Sequence, residues 1–418
     1  MGTSCRCKWL QAVRRIERPA RPRQMESKKG GHQMRTVYMD HSATTPVDPV
    51  VLNAMIPYYT DIYGNSSSVH SQGQKAARAL ENAREQVASL LGASPGEIIF
   101  TAGGTEADNQ ALITYMNNNR EKRRHIITSA IEHHAILHTC EHLAKQGFDL
   151  TVLPVNSEGT VEPQTLRTAL RPDTALVSIM HANNEVGTIQ DIKELAAISH
   201  EVGAVFHTDA VQSVGKIPVN VKDLGVDLLS ASSHKLYGPK GIGCLYAKKG
   251  VRIGSYLYGG GHERNLRAGT VNVPGAVGFG KAAELAQQRL NQNDSTLWEL
   301  GQRLRRGIIE AIPNTRLTGH PINRLPGSVS VCFEYVEGES ILLMLDSYGI
   351  MASSGSACTS GSLEPSHVLL ALGLSHEIAH GSVRLTMGKD NTIEDVDYVL
   401  EVLPPIIKNL RMMSPLGQ

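Results

Sequence analysis

The sequence predicts an α/β fold organised around a mostly parallel sheet, with a smaller α+β region after it. Three observations carry that expectation. From about position 98, short apolar runs alternate with helix-period stretches of ten or more residues, the pattern of right-handed βαβ units. Polar residues capable of chemistry recur directly after those runs, where open α/β sheets hold their ligands. From about position 281 the alternation gives way to a long amphipathic helix and then to mixed strands and helices.

Taken in order, the first 34 residues stand apart. They hold six Arg and three Lys against Glu17 and Glu26, a net +7, with Pro19 and Pro22 and no sustained apolar period. This composition is that of a disordered basic extension. An amphipathic transit helix is disfavoured by the prolines, and Met34 reads as the start of the protein proper.

The α/β section then runs "EIIFT" and "EADNQALITYM", "HIITS" and "AILHTCEHLAKQG", "DLTVLPV", "TALVSIMH" and "IKELAAISHEVG", "AVFHTD", "DLLSASS" and "GIGCLYA". The residues directly after the runs are Gly103, Gly104 and Thr105, then Glu132, His133 and His134, then His181, Asn183 and Asn184. After these come Asp209 and Gln212, and finally Ser232, His234 and Lys235. A single His or Asn at a strand end is ordinarily loop hydrogen bonding, whereas agreement among several ends points to one pocket. "KAAELAQQRLNQNDSTLWELGQRLRRGIIEAI" reads as one linking helix. "GSVSVCFEYV", "ESILLMLDSYGI", "HVLLALG", "SVRLTMG" and "TIEDVDYVLEVLPPIIKNL" complete the smaller region.

Composition removes several function classes. Of the 418 residues 41% are hydrophobic and 19% charged, and the formal net charge is +1, so no basic face for nucleic acid is implied. No run of 18 apolar residues is present, so no membrane span is expected. The six cysteines, Cys5, Cys7, Cys140, Cys244, Cys332 and Cys358, are too scattered for a disulfide framework, which favours a reducing, cytoplasmic setting. No GxxxxGK[ST] motif occurs, which sets aside a nucleoside triphosphate loop.

"TAGGTEADNQAL" places a Gly-rich turn and Thr105 at a helix start, where main-chain N–H groups, the helix dipole and a hydroxyl suit a phosphate dianion. An ordinary capped helix with Glu106 in its first turn is the plain alternative. Asp209 and Lys235 belong to neighbouring predicted strand ends. An amine nucleophile, a carboxylate and a phosphate cradle together suit pyridoxal 5′-phosphate, with Lys as the covalent anchor, Asp holding the pyridine nitrogen protonated and His133 stacked on the ring. Cys358 lies in "ASSGSACTSGS", a Gly/Ser loop unlike the apolar settings of Cys140, Cys244 and Cys332, which read as core.

These segments, with "YMDHSATTPVDP", "HANNEVGT", "HTDAVQSVGK", "SSHKLYGPKGIGCLY", "GGGHERNLRAGT" and "SSGSACTSGSLEPSHVLLALG", resemble the signatures of cysteine desulfurases of the NifS/IscS group, in the class V aminotransferase family. The resemblance covers about residues 35 to 415. It implies the type I fold of pyridoxal-phosphate-dependent transferases, with a large domain of seven-stranded type over 47–293. A small domain of 35–46 and 294–418 would carry the Cys358 loop.

By the same resemblance Lys235 is the Schiff-base lysine, His133 the ring-stacking histidine, Asp209 the partner of the pyridine nitrogen and Gln212 that of the ring hydroxyl. Gly104, Thr105, Ser232 and His234 hold the phosphate, joined by Thr270 from the second subunit of a homodimer. Asn184 touches the cofactor and, with Arg384, binds the substrate carboxylate, a role that suits a planar guanidinium. Cys358 attacks the substrate sulfur, becomes a persulfide and serves as a transient iron–sulfur ligand, while Lys235 removes the α-proton and His133 manages the thiol's proton. The expected reaction turns L-cysteine into L-alanine and delivers sulfur to a scaffold of the NifU/IscU type or to another acceptor. A selenocysteine lyase or a class V transaminase is the related alternative, and a transaminase has no need of Cys358. The chain departs from the IscS pattern at its end, "MSPLGQ", shorter than the tail that resembles a scaffold-docking segment.

Overall fold

The computed structural model describes residues 35–292, 295–355 and 365–414. Its strands are β1 (Val37–Tyr38), β2 (Ile98–Thr101), β3 (His125–Ser129), β4 (Asp149–Leu153), β5 (Thr174–Ser178), β6 (Val205–Asp209), β7 (Leu228–Ser232), β8 (Gly243–Ala247), β9 (Thr315–Leu317), β10 (Ser328–Phe333), β11 (Ile350–Met351) and β12 (Ser382–Thr386). Seven of them form one sheet in the order β2-β8-β7-β6-β5-β3-β4. The β4-β3-β5-β6-β7 portion is parallel, and β8 runs antiparallel to both β7 and β2.

The reason these strands read as unbroken apolar runs is burial on both faces. Along β2, Ile98 and Phe100 join one core and Ile99 the other; Ile126 and Ile127 divide in the same way on β3, as do Leu228 and Leu229 on β7. Helices Gly104–Asn109 and His134–Lys145 cover one face, whereas Ser71–Leu91, Ile192–Glu201 and Val273–Asn291 cover the other. Ser71–Leu91 is a 21-residue helix without a counterpart among the sequence expectations. It packs through Ala76, Ala79, Leu80, Ala83 and Val87 at helical spacing. Its partner Val273–Asn291 approaches closely because of Gly280, where an added Cβ would stand 2.7 Å from Ala83 Cα.

One expectation is corrected. The single linking helix over 281–312 is two helices, Val273–Asn291 and Thr296–Ala311. The junction is rich in Asn, Gln, Asp and Ser, whose side chains compete for backbone hydrogen bonds and favour caps over helix interiors. At its far side the Ser295 hydroxyl meets Glu299 at 2.5 Å.

The second sheet, β12-β10-β9, is antiparallel and rests its Val329, Val331, Phe333, Val383 and Leu385 against helices Thr296–Ala311, Gly338–Ser347 and Ile393–Met413. β1 pairs in parallel with β11, and Asp40 bridges to Thr386. The chain then crosses to the large sheet, where Thr45 N–H donates to His234 O and Asp48 N–H to Tyr237 O. Residues 40–48 therefore join the edge of the small sheet to the turn after β7. Thr36–Gln418 forms one compact unit. Among the described residues no helix is long and apolar enough to cross a membrane.

Candidate active site

The carboxyl ends of β3, β5, β6 and β7 lie side by side, and main-chain bonds extend the ladder beyond them: His181 N–H to Asp209 O at 2.9 Å, Ala210 N–H to Ser230 O at 3.0 Å. Side chains on the segments beyond the strands are thereby brought to one rim. Asp209, the last residue of β6, is buried, and its Oδ1 accepts the Val211 N–H at 2.9 Å. Burial raises its pKa, while the Val211 N–H and the Lys235 charge work in the opposite sense. Beneath it the carboxyl of Asp108, also buried, is pushed well above the usual range by burial and by the Asp209 charge. Burial and the Asp209 charge thus both favour the neutral form of the Asp108 carboxyl.

Two residues before Asp209 on β6, His207 is clasped by two hydroxyls, with Ser178 Oγ 2.9 Å from Nδ1 and Ser230 Oγ 3.1 Å from Nε2, and its Nε2 stands 3.7 Å from Asp108 Oδ1. Burial drives its pKa down to about 3, so the ring is neutral.

Lys235 occupies the single 3₁₀ turn after β7. Its Nζ donates to Ser42 O at 2.5 Å and Ala43 O at 2.8 Å. Its charge is felt by Asp209, His133 and His234, which gathers these predicted residues around one amine. His133 caps helix His134–Lys145: its Nδ1 accepts the Ala135 N–H at 3.1 Å, which leaves the ring proton on Nε2. Burial and then Lys235 lower its pKa, so the resting ring is a neutral Nε2–H donor.

A pocket of about 740 Å³ is lined by Gly103, Gly104, Thr105, Ser232, His234 and Lys240, among others. A Cβ at Gly103 would meet nothing within 4 Å, whereas one at Gly104 would stand 2.6 Å from Val211 Cγ2. Gly104 is therefore required where helix and strand end touch. His234 Nδ1 is 3.1 Å from Thr44 Oγ1, and burial lowers its pKa to about 4. Hydroxyls at Thr105 and Ser232, a neutral imidazole, a helix start and Lys240 form a donor set that suits a phosphate. With Asp209 and Lys235 alongside, these residues fit pyridoxal 5′-phosphate.

Arg384 on β12 is buried, with Nη2 on Asp40 Oδ1 at 2.9 Å and Nη1 on Asn184 O at 3.0 Å. Among the described residues its buried Nε has no hydrogen-bond partner. Gln212 is buried, its Nε2 donating to Ser42 O at 2.9 Å. Thr270 is exposed and does not line the phosphate pocket. Cys358 lies outside the described residues. The segments that flank it meet Glu185, to which Ser366 Oγ donates and against which Gly355 packs. Cys140, Cys244 and Cys332 are free and buried, and burial pushes the Cys244 and Cys332 thiols up to about 12, as expected of core residues.

Sequence reasoning passed over Asp108, Lys216, Asp40 and the Ser42–Ala43 carbonyls. Asp108 and Asp40 had a usable signal as acids next to the Gly-rich turn and the "DHSATTP" motif. The carbonyls had none, since any residue supplies one.

The class V aminotransferase family model matches residues 37–399. A relative from Methanosarcina thermophila named "Cysteine desulfurase IscS" is 56% identical over 382 residues, spanning 91% of this chain and 94% of its own. A solved structure titled "NIFS-LIKE PROTEIN" superposes with a TM-score of 0.85 at 40% identity, covering 90% of this chain and 100% of the other. Another, "SspA in complex with cysteine", has a TM-score of 0.74 at 37% identity over 84% and 99% of the two chains.

Proposed function

The chain belongs to the class V aminotransferase family, and we propose that Lys235, Asp209, His133 and Arg384 with Cys358 carry out its reaction, the desulfuration of L-cysteine. It is a pyridoxal-phosphate-dependent cysteine desulfurase. The observation that carries the assignment of residues is the meeting, at the ends of β6 and β7, of a buried carboxylate and an amine whose charges interact beside a phosphate-shaped donor set.

When bound, pyridoxal 5′-phosphate supplies an electron sink that loosens the substrate's Cα–H and carbon–sulfur bonds. Gly104, Thr105, Ser232 and His234 would hold its phosphate, Asp209 its ring nitrogen, Gln212 its ring hydroxyl, and Asn184 and His133 would flank it. The Arg384 guanidinium, kept in plane by Asp40 and the Asn184 carbonyl, binds the substrate carboxylate. Lys235 Nζ takes the α-proton. The Cys358 thiolate forms a bond to the substrate sulfur as the substrate's carbon–sulfur bond breaks; the electron pair stays with the carbon, which takes up a proton, and alanine leaves. His133 offers its Nε2–H to the sulfur that carries the charge.

The persulfide on Cys358 then passes to an acceptor, which we take to be an iron–sulfur scaffold of the NifU/IscU type or another thiol, with Cys358 a transient cluster ligand. The cysteines outside disulfides support a cytoplasmic setting. The division into a large domain over 47–293 and a small domain of 35–46 and 294–418 is supported by the two separate sheets and cores. A homodimer is supported by exposed Tyr63, Val69 and Tyr258 on two loops joined by a 3.3 Å contact of Ser67 Oγ and His262 Nδ1. Thr270 lies just after the second loop and would reach the partner's phosphate.

The test is release of alanine and sulfide from L-cysteine with a thiol reductant. Lys235→Ala abolishes both products, and Cys358→Ala abolishes sulfide transfer; full sulfide release by Cys358→Ala would remove the persulfide assignment.

A further inference from the structure

Lys216 is a second lysine at the site, on the segment between β6 and β7, and the reaction described above does not use it. It sits in the turn after Gln212, half-buried, and its Nζ donates to Gln212 Oε1 at 3.0 Å. The other end of that amide, Nε2, donates to Ser42 O at 2.9 Å, and Ser42 O also receives Lys235 Nζ at 2.5 Å. One amide and one carbonyl therefore separate the two ammonium groups. Neither of these neutral groups cancels charge. Among the described residues Lys216 has no carboxylate partner, whereas Lys389, on the same 290 Å³ cavity, is paired with Asp48 at 2.6 Å. Among the described residues, the charged and titratable groups around Lys216 are Lys235 after β7, Arg384 on β12, His41 on the crossing segment and His234, with Arg289, Tyr237 and the Asp48-paired Lys389 on the same cavity; the Asp209 carboxylate acts on Lys235 in the opposite sense to Lys216.

We propose that Lys216 is a positioning residue for Lys235: its positive charge, held in place by Gln212, disfavours protonation of the Lys235 amine and keeps that amine nucleophilic. An amine attacks a carbonyl only when unprotonated, and a neighbouring cation is one of the established ways to lower a lysine's pKa. The same repulsion is visible on Lys216, whose pKa falls to about 7 through burial first and then through the charges of Lys235 and Arg384. The hydrogen bond also settles which end of Gln212 is which, because an ammonium can only donate and so must meet Oε1. The Gln212 NH₂ is thereby turned toward Ser42 O and the Lys235 side.

The inference rests on the reading of Lys235 as the covalent anchor, and the experiment separates the two. The apoprotein is mixed with pyridoxal 5′-phosphate between pH 5.5 and 8, quenched with borohydride at intervals, and the reduced adduct is located by peptide mass. A native protein whose adduct is not on Lys235 overturns the anchor reading. With the adduct on Lys235, Lys216→Met is compared at pH 6, where Lys216 carries its charge. Capture is expected to slow about tenfold and the pH midpoint of capture to rise by about one unit, with an unchanged melting temperature of the apoprotein excluding misfolding. Lys216→Arg, which keeps the charge, is expected to restore the midpoint. Capture by Lys216→Met within twofold of native at pH 6, or an Arg variant as slow as the Met variant, overturns the proposal.

Discussion

Replacing Gly104 with alanine adds one methyl group where the phosphate pocket meets the end of β6. The new Cβ would lie 2.6 Å from Val211 Cγ2, while its next neighbours, Ser232 Cβ and Val211 Cβ, stand at 3.7 and 3.9 Å. The conflict is thus with one methyl of a β-branched side chain that has few alternative rotamers. Relieving it should cost about 1–3 kcal/mol, offset by up to about 1 kcal/mol from the lower chain entropy of alanine. A net loss of about 1–2 kcal/mol is expected. Val211→Ala removes the clashing methyl and leaves only ordinary contacts, so the double variant should recover most of the loss, with a coupling of about 1–2 kcal/mol. Because the Val211 N–H is the donor on Asp209 Oδ1, the single variant should also bind pyridoxal 5′-phosphate more weakly. Denaturant midpoints of the four apoproteins and cofactor affinities from fluorescence quenching measure both effects. A coupling under about 0.3 kcal/mol, or native cofactor affinity in Gly104→Ala, would show that Val211 Cγ2 is not what excludes a side chain at position 104.

Two further outcomes concern groups below the site. Arg84 and Glu263 form a buried two-pronged pair, 2.7 Å at both contacts, and Glu263 also accepts the Phe100 N–H at 2.8 Å. Glu263→Ala leaves the buried guanidinium with only the exposed Glu81 carboxylate at 3.3 Å and the Ile98 carbonyl at 2.9 Å and should lower stability by up to about 3–5 kcal/mol, read from urea midpoints; a change under about 1 kcal/mol would mean the pair behaves as a surface one. His207 must stay neutral in the fold, since its pKa of about 3 lies below that of an unfolded histidine. Its contribution is complete above about pH 6.5 and is lost as pH falls from there toward 3. His207→Gln should therefore flatten the stability decline between pH 6.5 and 5 by about 2 kcal/mol, and an equally steep decline in the variant would contradict it.

Much of the fold was legible because the parallel strands are buried on both faces. β3, β5 and β7 read as plain apolar runs, and the polar residues after them already marked the rim in the sequence. Ser71–Leu91 is hard to read along the chain although Ala76, Leu80, Ala83 and Val87 carry its period: alanine is a weak apolar signal, and only the close fit against Val273–Asn291 makes small residues there meaningful. The join between Asn291 and Thr296 is hidden along the chain because helical periodicity runs on both sides of it. Candidate residues from separate strand ends, Asp209, His133, His234 and Lys235, do meet; Thr270, expected to act from a second subunit, lies off its own chain's phosphate pocket.

By itself the sequence determined the alternation of strands and helices, the edge of the sheet that carries chemistry, and the residue types present there. Those are local properties, written in periods of two and 3.6 residues and in the polar residues just beyond each run. The tertiary structure decided which groups answer one another: Arg84 with Glu263, Arg384 with Asp40, and Lys216 through Gln212 to the carbonyl that holds Lys235. These partners lie far apart along the chain or meet through backbone atoms, and charge and hydrogen bonding act through space over a few ångströms. No local pattern along the chain encodes that distance.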